Sequence, residues 1–266
     1  MNLPGSRICT ILFDGSSIYP FFKEHTMKLL IVGGAGYVGS ILRPALEASH
    51  TCRYLDLRPI AGAEDRCFVG SVRNPELVKR AVNDIDILVW SAMGKNPAVA
   101  RGGEHDLDAA FDVNVRDLYR TLNIAHRAGV RRFVYAGSLS VYERIGTQPR
   151  APLEESMPGD AWHAYGMTKR LGEFMGQALA RHDPKVTFIS LRLMWPRNDA
   201  DWPGNEYRPG LKWYPLGPGD LRRLFLAAVV FDRPGAYFVQ ATGDLGGEVY
   251  PNNRATELLG WKPEGK

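Results

Sequence analysis

An apolar run, Lys28–Val32 (KLLIV), ends directly in a glycine cluster, Gly33, Gly34, Gly36 and Gly39, and passes into a helical pattern over Tyr37–Ser49. Such a run reads as a buried parallel strand. Glycines between a strand and a helix permit a tight turn and let backbone N–H groups approach a pyrophosphate, whose charge the helix N-terminus favours. The cluster satisfies Gly-x-Gly-x-x-Gly at Gly34, Gly36 and Gly39, and Gly-x-x-Gly-x-x-Gly at Gly33, Gly36 and Gly39. Either match alone is weak in a chain with 28 glycines; the strand before it and the helix after it give it weight. Gly33, Gly36, Tyr37, Val38 and Gly39 are therefore candidate dinucleotide contacts.

The same reading continues along the chain. Strands are expected over Thr51–Leu57, Arg66–Val69, Ile85–Trp90, Arg131–Ala136 and Lys185–Leu193. Helices are expected from Pro75 to Val82, over Leu107–Ala128 with Gly129 as its stop, and over Trp162–Arg181. Strand and helix alternate throughout, which implies an α/β protein: a doubly wound parallel sheet, the Rossmann fold, with helices on both faces. Beyond Pro196 the pattern loosens into a loop, 196–220, rich in proline, glycine and aromatics, of the kind that forms a lid or substrate wall. A helix over Leu221–Phe231, a strand over Ala236–Gln240 and a short helix over Arg254–Leu259 follow. The expected organisation is a dinucleotide-binding domain over 27–195 and a small substrate-binding part over 196–266. Residues 1–26 show no sustained period, and Asp14 and Gly15 interrupt their longest apolar run, so they read as a loosely attached, dispensable extension and not as a secretory signal.

Composition narrows the class. Thirty-three Lys and Arg against 29 Asp and Glu give a net charge of only +4, which does not argue for nucleic acid. No apolar run reaches the ~18 residues of a membrane span. Three cysteines, Cys9, Cys52 and Cys67, show no metal-type spacing and suit no disulfide framework, so a cytoplasmic, reducing setting is expected. Cys52 and Cys67 fall on expected strands and read as buried and inert. The six histidines form no pair resembling a zinc site.

Two further features carry chemistry. Asp56 ends the second strand 22 residues beyond Gly34. A carboxylate there accepts from the adenosine ribose hydroxyls and repels a 2′-phosphate, which favours NAD over NADP; Arg58 leaves NADP possible. Tyr165 and Lys169 stand four apart on one helix face, and Ser138 follows the fifth strand, at the sheet edge where ligands gather. A serine hydroxyl can hold a substrate oxygen while a tyrosine exchanges its proton. The Lys169 ammonium and an oxidised nicotinamide are expected to lower the phenol's pKa.

With these residues in place the chain resembles the extended short-chain dehydrogenase/reductases, the NAD-dependent epimerase/dehydratase group, over nearly all of 28–262. The glycine loop, Ser138-x-x-Val141-Tyr142, Tyr165-x-x-x-Lys169, the run Asn114–Val130, Leu191–Arg192 and Leu259–Gly260–Trp261–Lys262–Pro263 carry the resemblance. It implies that Ser138, Tyr165 and Lys169 are catalytic, with Lys169 also on the nicotinamide ribose. It also implies that Leu57, Arg58, Ser71, Val72, Ser91 and Ala92 border the cofactor. Ser71 stands where the family has an acid, Glu143 where it has glycine, and Met194–Trp195 where an asparagine is usual; together with the short C-terminal part, these departures favour a substrate smaller than a nucleotide sugar. Leu139 and Ser140 follow Ser138 where family dehydratases have an Asp-Glu pair, so dehydration is not expected. The implied activity is NAD(P)-dependent oxidation or reduction of a sugar, sugar acid or similar small molecule. A nucleotide-sugar epimerase and a non-catalytic dinucleotide-binding regulator are the alternatives. The family also implies a homodimer through the two long helices. Arg192 and Arg208 read either as ligands for an anionic substrate or as ion-paired side chains, His163 as a substrate contact or a helix-start residue, and Trp195, Trp202, Trp213 and Tyr214 as stacking surfaces or loop packing.

Overall fold

The computed structural model describes residues 26–94, 107–143, 145, 152–203 and 214–266. Apart from Thr26, the expected N-terminal extension lies outside the described residues, as do Cys9, Arg208 and Trp213.

Seven strands, β1 (Lys28–Val32), β2 (Thr51–Asp56), β3 (Cys67–Val69), β4 (Ile87–Trp90), β5 (Arg132–Ser138), β6 (Thr187–Leu193) and β7 (Gly235–Ala241), form one sheet in the order β3-β2-β1-β4-β5-β6-β7. Every pairing is parallel. The order reverses at β1, which pairs β2 on one side and β4 on the other, so a crevice opens there beyond the carboxyl ends of the strands.

Helices α1 (Tyr37–Ser49), α2 (Pro75–Ala81), α3 (Leu107–Phe111), α4 (Leu118–Arg127), α5 (Ala164–His182), α6 (Pro218–Val230) and α7 (Asn253–Leu259) flank the sheet. Alternate residues of β1 feed opposite cores, as strand geometry requires. Leu29 and Ile31 pack with Ile41 and Leu42 of α1 and Leu224 and Phe225 of α6. Leu30 and Val32 pack with Leu77 and Val78 of α2 and Leu118 and Leu122 of α4, on the face that α5 also covers. Burial on both faces explains why the strands read as unbroken apolar runs. Local signals set the helix ends. The Asn74 side chain accepts from the backbone N–H groups of Glu76 and Leu77 with Pro75 in the first turn of α2, and Gly260 closes α7 in the left-handed region at φ 62°.

The helix expected over Leu107–Ala128 departs from the reading. A π-helical turn, Asp112–Asp117, separates α3 from α4. The residues after Pro196 continue the sheet: β7 pairs with β6 along its length and α6 packs against α1. Among the described residues no helix is long and apolar enough to cross a membrane.

Candidate functional site

A cavity of about 890 Å³ lies at the carboxyl ends of the strands, over the point where the strand order reverses. The glycine loop forms its floor. Gly33 has φ +87°, and a Cβ there would come within 2.5 Å of the Ala92 backbone N, so only glycine lets the loop pack this closely against the end of β4. The loop is fixed by Gly33 N–H to Leu55 O at 2.9 Å and Gly36 N–H to Gly33 O at 3.0 Å. The Ser91 hydroxyl donates to the carbonyls of Val32 and Gly33 at 3.0 and 3.2 Å. Gly36, Tyr37 and Val38 line the cavity as the first turn of α1 begins, with no side chain capping that helix. Gly39 does not line it; a Cβ there would meet Gly33 O at 2.3 Å, so its part is to let α1 press onto the loop.

Asp56 lines the cavity and braces the loop. Its Oδ2 accepts from Ala35 N–H at 2.9 Å and its Oδ1 from Arg58 N–H at 3.0 Å. A carboxylate has about four acceptor sites, so two bonds leave it able to accept from a ribose. The Arg58 guanidinium donates to Ala35 O. Leu57, Ser71, Val72, Ser91 and Ala92 all line the cavity, at the ends of β2, β3 and β4. Beside the loop a smaller cavity of about 260 Å³ is lined by Ser40, Arg43 and Arg58.

At the other end stand Ser138, Tyr165 and Lys169. Ser138 closes β5, and its Oγ accepts from Ser140 N–H at 3.1 Å, which fixes the rotamer over the turn that follows. Tyr165 lies in the first turn of α5 and shares a hydrogen bond with the Ser138 hydroxyl. Lys169, one turn on, is 4% exposed and donates to Ala136 O at 2.7 Å. Burial lowers its pKa to about 8, with the Glu173 carboxylate opposing. The expected lowering of the phenol by Lys169 is corrected here. Burial raises the Tyr165 pKa, and the Ser138 hydrogen bond is what opposes it. The ammonium gives one of its three N–H groups to a backbone carbonyl and stands over the phenol ring, 5.7 Å from its centroid.

Asn114 was not singled out in the sequence. It is 1% exposed within the π-helical turn, accepts from Gly94 N–H at 2.9 Å and donates to Thr168 Oγ1 at 3.1 Å, tying the segment after β4 to α5 between Tyr165 and Lys169. Its only signal in the chain is an amide on the apolar side of a helical pattern.

The ambiguous residues resolve as follows. Arg192 does not face the cavity; it is buried in a bidentate pair with Glu173, Nε to Oε1 and Nη2 to Oε2 both at 2.8 Å, which closes it as a ligand for an anionic substrate. His163 is the N-cap of α5, its Nδ1 accepting from Gly166 N–H at 3.2 Å. Glu143 accepts from Trp162 N–H at 2.5 Å and His163 N–H at 3.4 Å, so its carboxylate is occupied at the start of α5. Trp195 lines the cavity with the Arg197 guanidinium 4.4 Å from its ring centroid, whereas Tyr214 packs on Tyr250. Cys52 is buried and its thiol is pushed up to about 12 by that burial, as an inert cysteine should be; Cys67 is only partly buried.

Residues 29–195 match the family described as the NAD dependent epimerase/dehydratase family. A UDP-glucose 4-epimerase of Neisseria meningitidis serogroup C is 29% identical over 184 residues, covering 64% of this chain and 53% of that protein. An L-arabinose 1-dehydrogenase (NAD(P)(+)) of Haloferax volcanii is 26% identical over 180 residues, covering 63% of this chain and 66% of that protein. The chain thus spans about half the length of the epimerases it matches. Among solved structures, glucuronic acid dehydrogenase from Chromohalobacter salexigens shares the fold with a TM-score of 0.72 at 22% identity, over 90% of this chain and 85% of that one. A short-chain dehydrogenase/reductase superfamily protein from Agrobacterium tumefaciens, solved with bound NAD, aligns with a TM-score of 0.71 at 21% identity, over 89% and 92% of the two chains.

Proposed function

The chain belongs to the NAD-dependent epimerase/dehydratase family, and on that premise we propose that it is an NAD-dependent oxidoreductase acting at a hydroxyl or keto carbon of a sugar, sugar acid or similar small molecule. The observation that carries this reading is the meeting of Ser138, Tyr165 and Lys169 at one end of a cavity whose other end is the glycine loop and Asp56.

The residues present fit a dinucleotide. The close backbone packing at Gly33, the uncapped first turn of α1 and the carboxylate of Asp56 form a cradle for pyrophosphate and ribose. Gly33, Gly36, Tyr37 and Val38 would hold the pyrophosphate end; Asp56, Leu57 and Arg58, with Ser71 and Val72, would hold the adenosine, and Ser91, Ala92 and Lys169 the nicotinamide side. Bound there, NAD supplies the hydride acceptor, or NADH the donor.

The chain's own residues handle the substrate oxygen and its proton. Ser138 Oγ donates to that oxygen and holds it beside the Tyr165 hydroxyl. Tyr165 takes the hydroxyl proton in oxidation and returns it in reduction. The phenol is raised by burial in this structure, so the Lys169 ammonium beside its ring would have to stabilise the phenolate as the proton moves. The apolar side chain of Leu139 and the occupied carboxylate of Glu143 provide no acid–base pair for dehydration.

A nucleotide-sugar epimerase is the second reading, favoured by the epimerases among the relatives. Tyr119 on α4 and Phe174 on α5 are 59% and 62% exposed and support a homodimer through these helices. Sedimentation should show about twice the chain mass for the unmodified protein and a monomer for Phe174→Asp. A reducing, cytoplasmic setting suits the free cysteines. The deciding experiment for the activity is a panel of sugars, sugar acids and sugar nucleotides with NAD and NADP, read as formation of reduced nicotinamide. Oxidation of a sugar or sugar acid is expected. Tight NAD binding with no turnover on any compound would favour a non-catalytic regulator.

A further inference from the structure

Lys169 is held almost wholly out of water, and its contacts leave an open question about its charge. Its ammonium donates to the neutral carbonyl of Ala136 at 2.7 Å and stands over the rings of Tyr135 and Tyr165, 4.9 and 5.7 Å from their centroids. Both phenols are raised by burial and are neutral at physiological pH. Desolvation alone would strip a proton from a lysine so placed.

One turn further along α5, Glu173 shares the face of Lys169 and is 6% exposed. Its carboxylate accepts from Ser190 Oγ on β6 at 3.0 Å and from Arg192 Nε and Nη2, also on β6, at 2.8 Å each. Arg192 in turn donates from Nη1 to the Tyr142 hydroxyl at 2.5 Å and lies between the rings of Tyr142 and Phe238, 5.2 and 5.5 Å from their centroids. The acids of the π-helical turn packed against α5, Asp112 and Asp117, are engaged with Arg73, Arg116 and Arg120. Glu155 is the next carboxylate toward Arg192. Glu173 is thus the carboxylate on Lys169's own face, and it is the one that opposes the loss of the lysine's charge.

We propose that the Glu173–Arg192 pair is a positioning device for Lys169: Arg192 fixes the Glu173 carboxylate on the Lys169 face of α5 through two hydrogen bonds, and that carboxylate favours the ammonium beneath the cavity. The proposal rests on the reading of Lys169 as a cation of the site. Arg192 lies on the strand adjacent to β5, so the arginine that orients Glu173 and the carbonyl that Lys169 holds belong to one sheet. A purely structural pair would pin α5 to β6 and leave the titration of Lys169 alone.

The test is the side-chain titration of Lys169, followed by NMR on protein carrying ¹³C,¹⁵N-lysine, with the signal assigned through Lys169→Arg. In the unmodified protein the midpoint should fall near about 8. Glu173→Gln removes the counter-charge and leaves Arg192 unbalanced; both changes disfavour the ammonium, so the midpoint should move to lower pH by about one unit or more. The double variant Glu173→Leu/Arg192→Met removes both buried charges at similar volume, a replacement that proteins often tolerate. Its midpoint should also lie below that of the unmodified protein, but above that of Glu173→Gln. If the single variant does not fold, the double variant decides. With a substrate from the panel, the pH–rate profile should shift by the same amount as the lysine. An unchanged Lys169 midpoint in the folded double variant overturns the proposal. Because the titration needs no turnover, a shifted midpoint in a protein inactive on every substrate supports the positioning role and counts only against the oxidoreductase reading.

Discussion

Replacing Tyr165 by phenylalanine removes one oxygen from the cavity wall and little else. That oxygen shares a hydrogen bond with Ser138 and is the group assigned to the substrate proton. Tyr165→Phe should therefore lower turnover by about 10²–10⁴-fold, the usual worth of a positioned acid–base group. NAD affinity, measured by calorimetry, should stay nearly the same; turnover within a few-fold of the unmodified protein would remove Tyr165 from the chemistry. Asp56 makes a different case, because it braces Ala35 and Arg58 as well as facing the cavity. Asp56→Ala should weaken NAD and narrow its advantage over NADP, whose 2′-phosphate would no longer meet a carboxylate and has Arg43 and Arg58 within the adjoining cavity. Unmodified protein that binds NADP as well as NAD would show the acid does not discriminate. Ser138, Tyr165 and Lys169 are brought together as their spacing implies, because an i, i+4 pair on a helix and a residue at a strand end are local geometry. Arg192 is ion-paired, one of the two readings the sequence allows, but which partner it takes was not legible. Its partner lies 19 positions away on another element, and nothing in either residue's neighbourhood announces a buried pair.

At the scale of elements, the glycine loop shows how a strand, a turn and a helix depend on two atoms. A Cβ at Gly39 would come within 2.3 Å of Gly33 O and 2.7 Å of Gly34 Cα, both backbone, so neither can swing aside. Gly39→Ala should destabilise the fold by about 1–3 kcal/mol through overpacking and weaken NAD as α1 is pushed off the loop. Gly129→Ala is the control: φ there is +100° but nothing lies within 4 Å, so it should cost about 1–2 kcal/mol of backbone strain with NAD affinity unchanged. Thermal unfolding with and without NAD separates the two; equal effects on NAD affinity would contradict the packing account. The alternation of elements was legible because the central strands β1, β4 and β6 are buried on both faces, while Gly129 and Gly260 follow the ends of α4 and α7. The π-helical turn at Asp112–Asp117 was not. It holds Asn114, whose amide bonds Gly94 beyond β4 and Thr168 on α5, partners that the local sequence does not announce.

For the whole molecule, the question is what holds the sheet together once the cofactor cradle is formed. Both cores draw on β1, and Met27 packs against the first of them while its carbonyl accepts from Thr51 N–H at 2.9 Å. Among the described residues, the groups that anchor the central strand from its first residue lie at or beyond position 27. A chain beginning at Met27 should fold with an unfolding midpoint close to that of the 266-residue chain and bind NAD with the same affinity. Binding should also act on the whole fold, because the cavity is lined by residues from both sides of the point where the strand order reverses. NAD at a hundredfold excess over its Kd should stabilise either chain by about 2.7 kcal/mol, through linkage to the folded state alone. The two chains should respond equally, since the residues that border the cavity are common to both. A lower midpoint for the shorter chain that NAD does not restore would place the first 26 residues in the core. A normal midpoint with a smaller response to NAD would place them at the cradle.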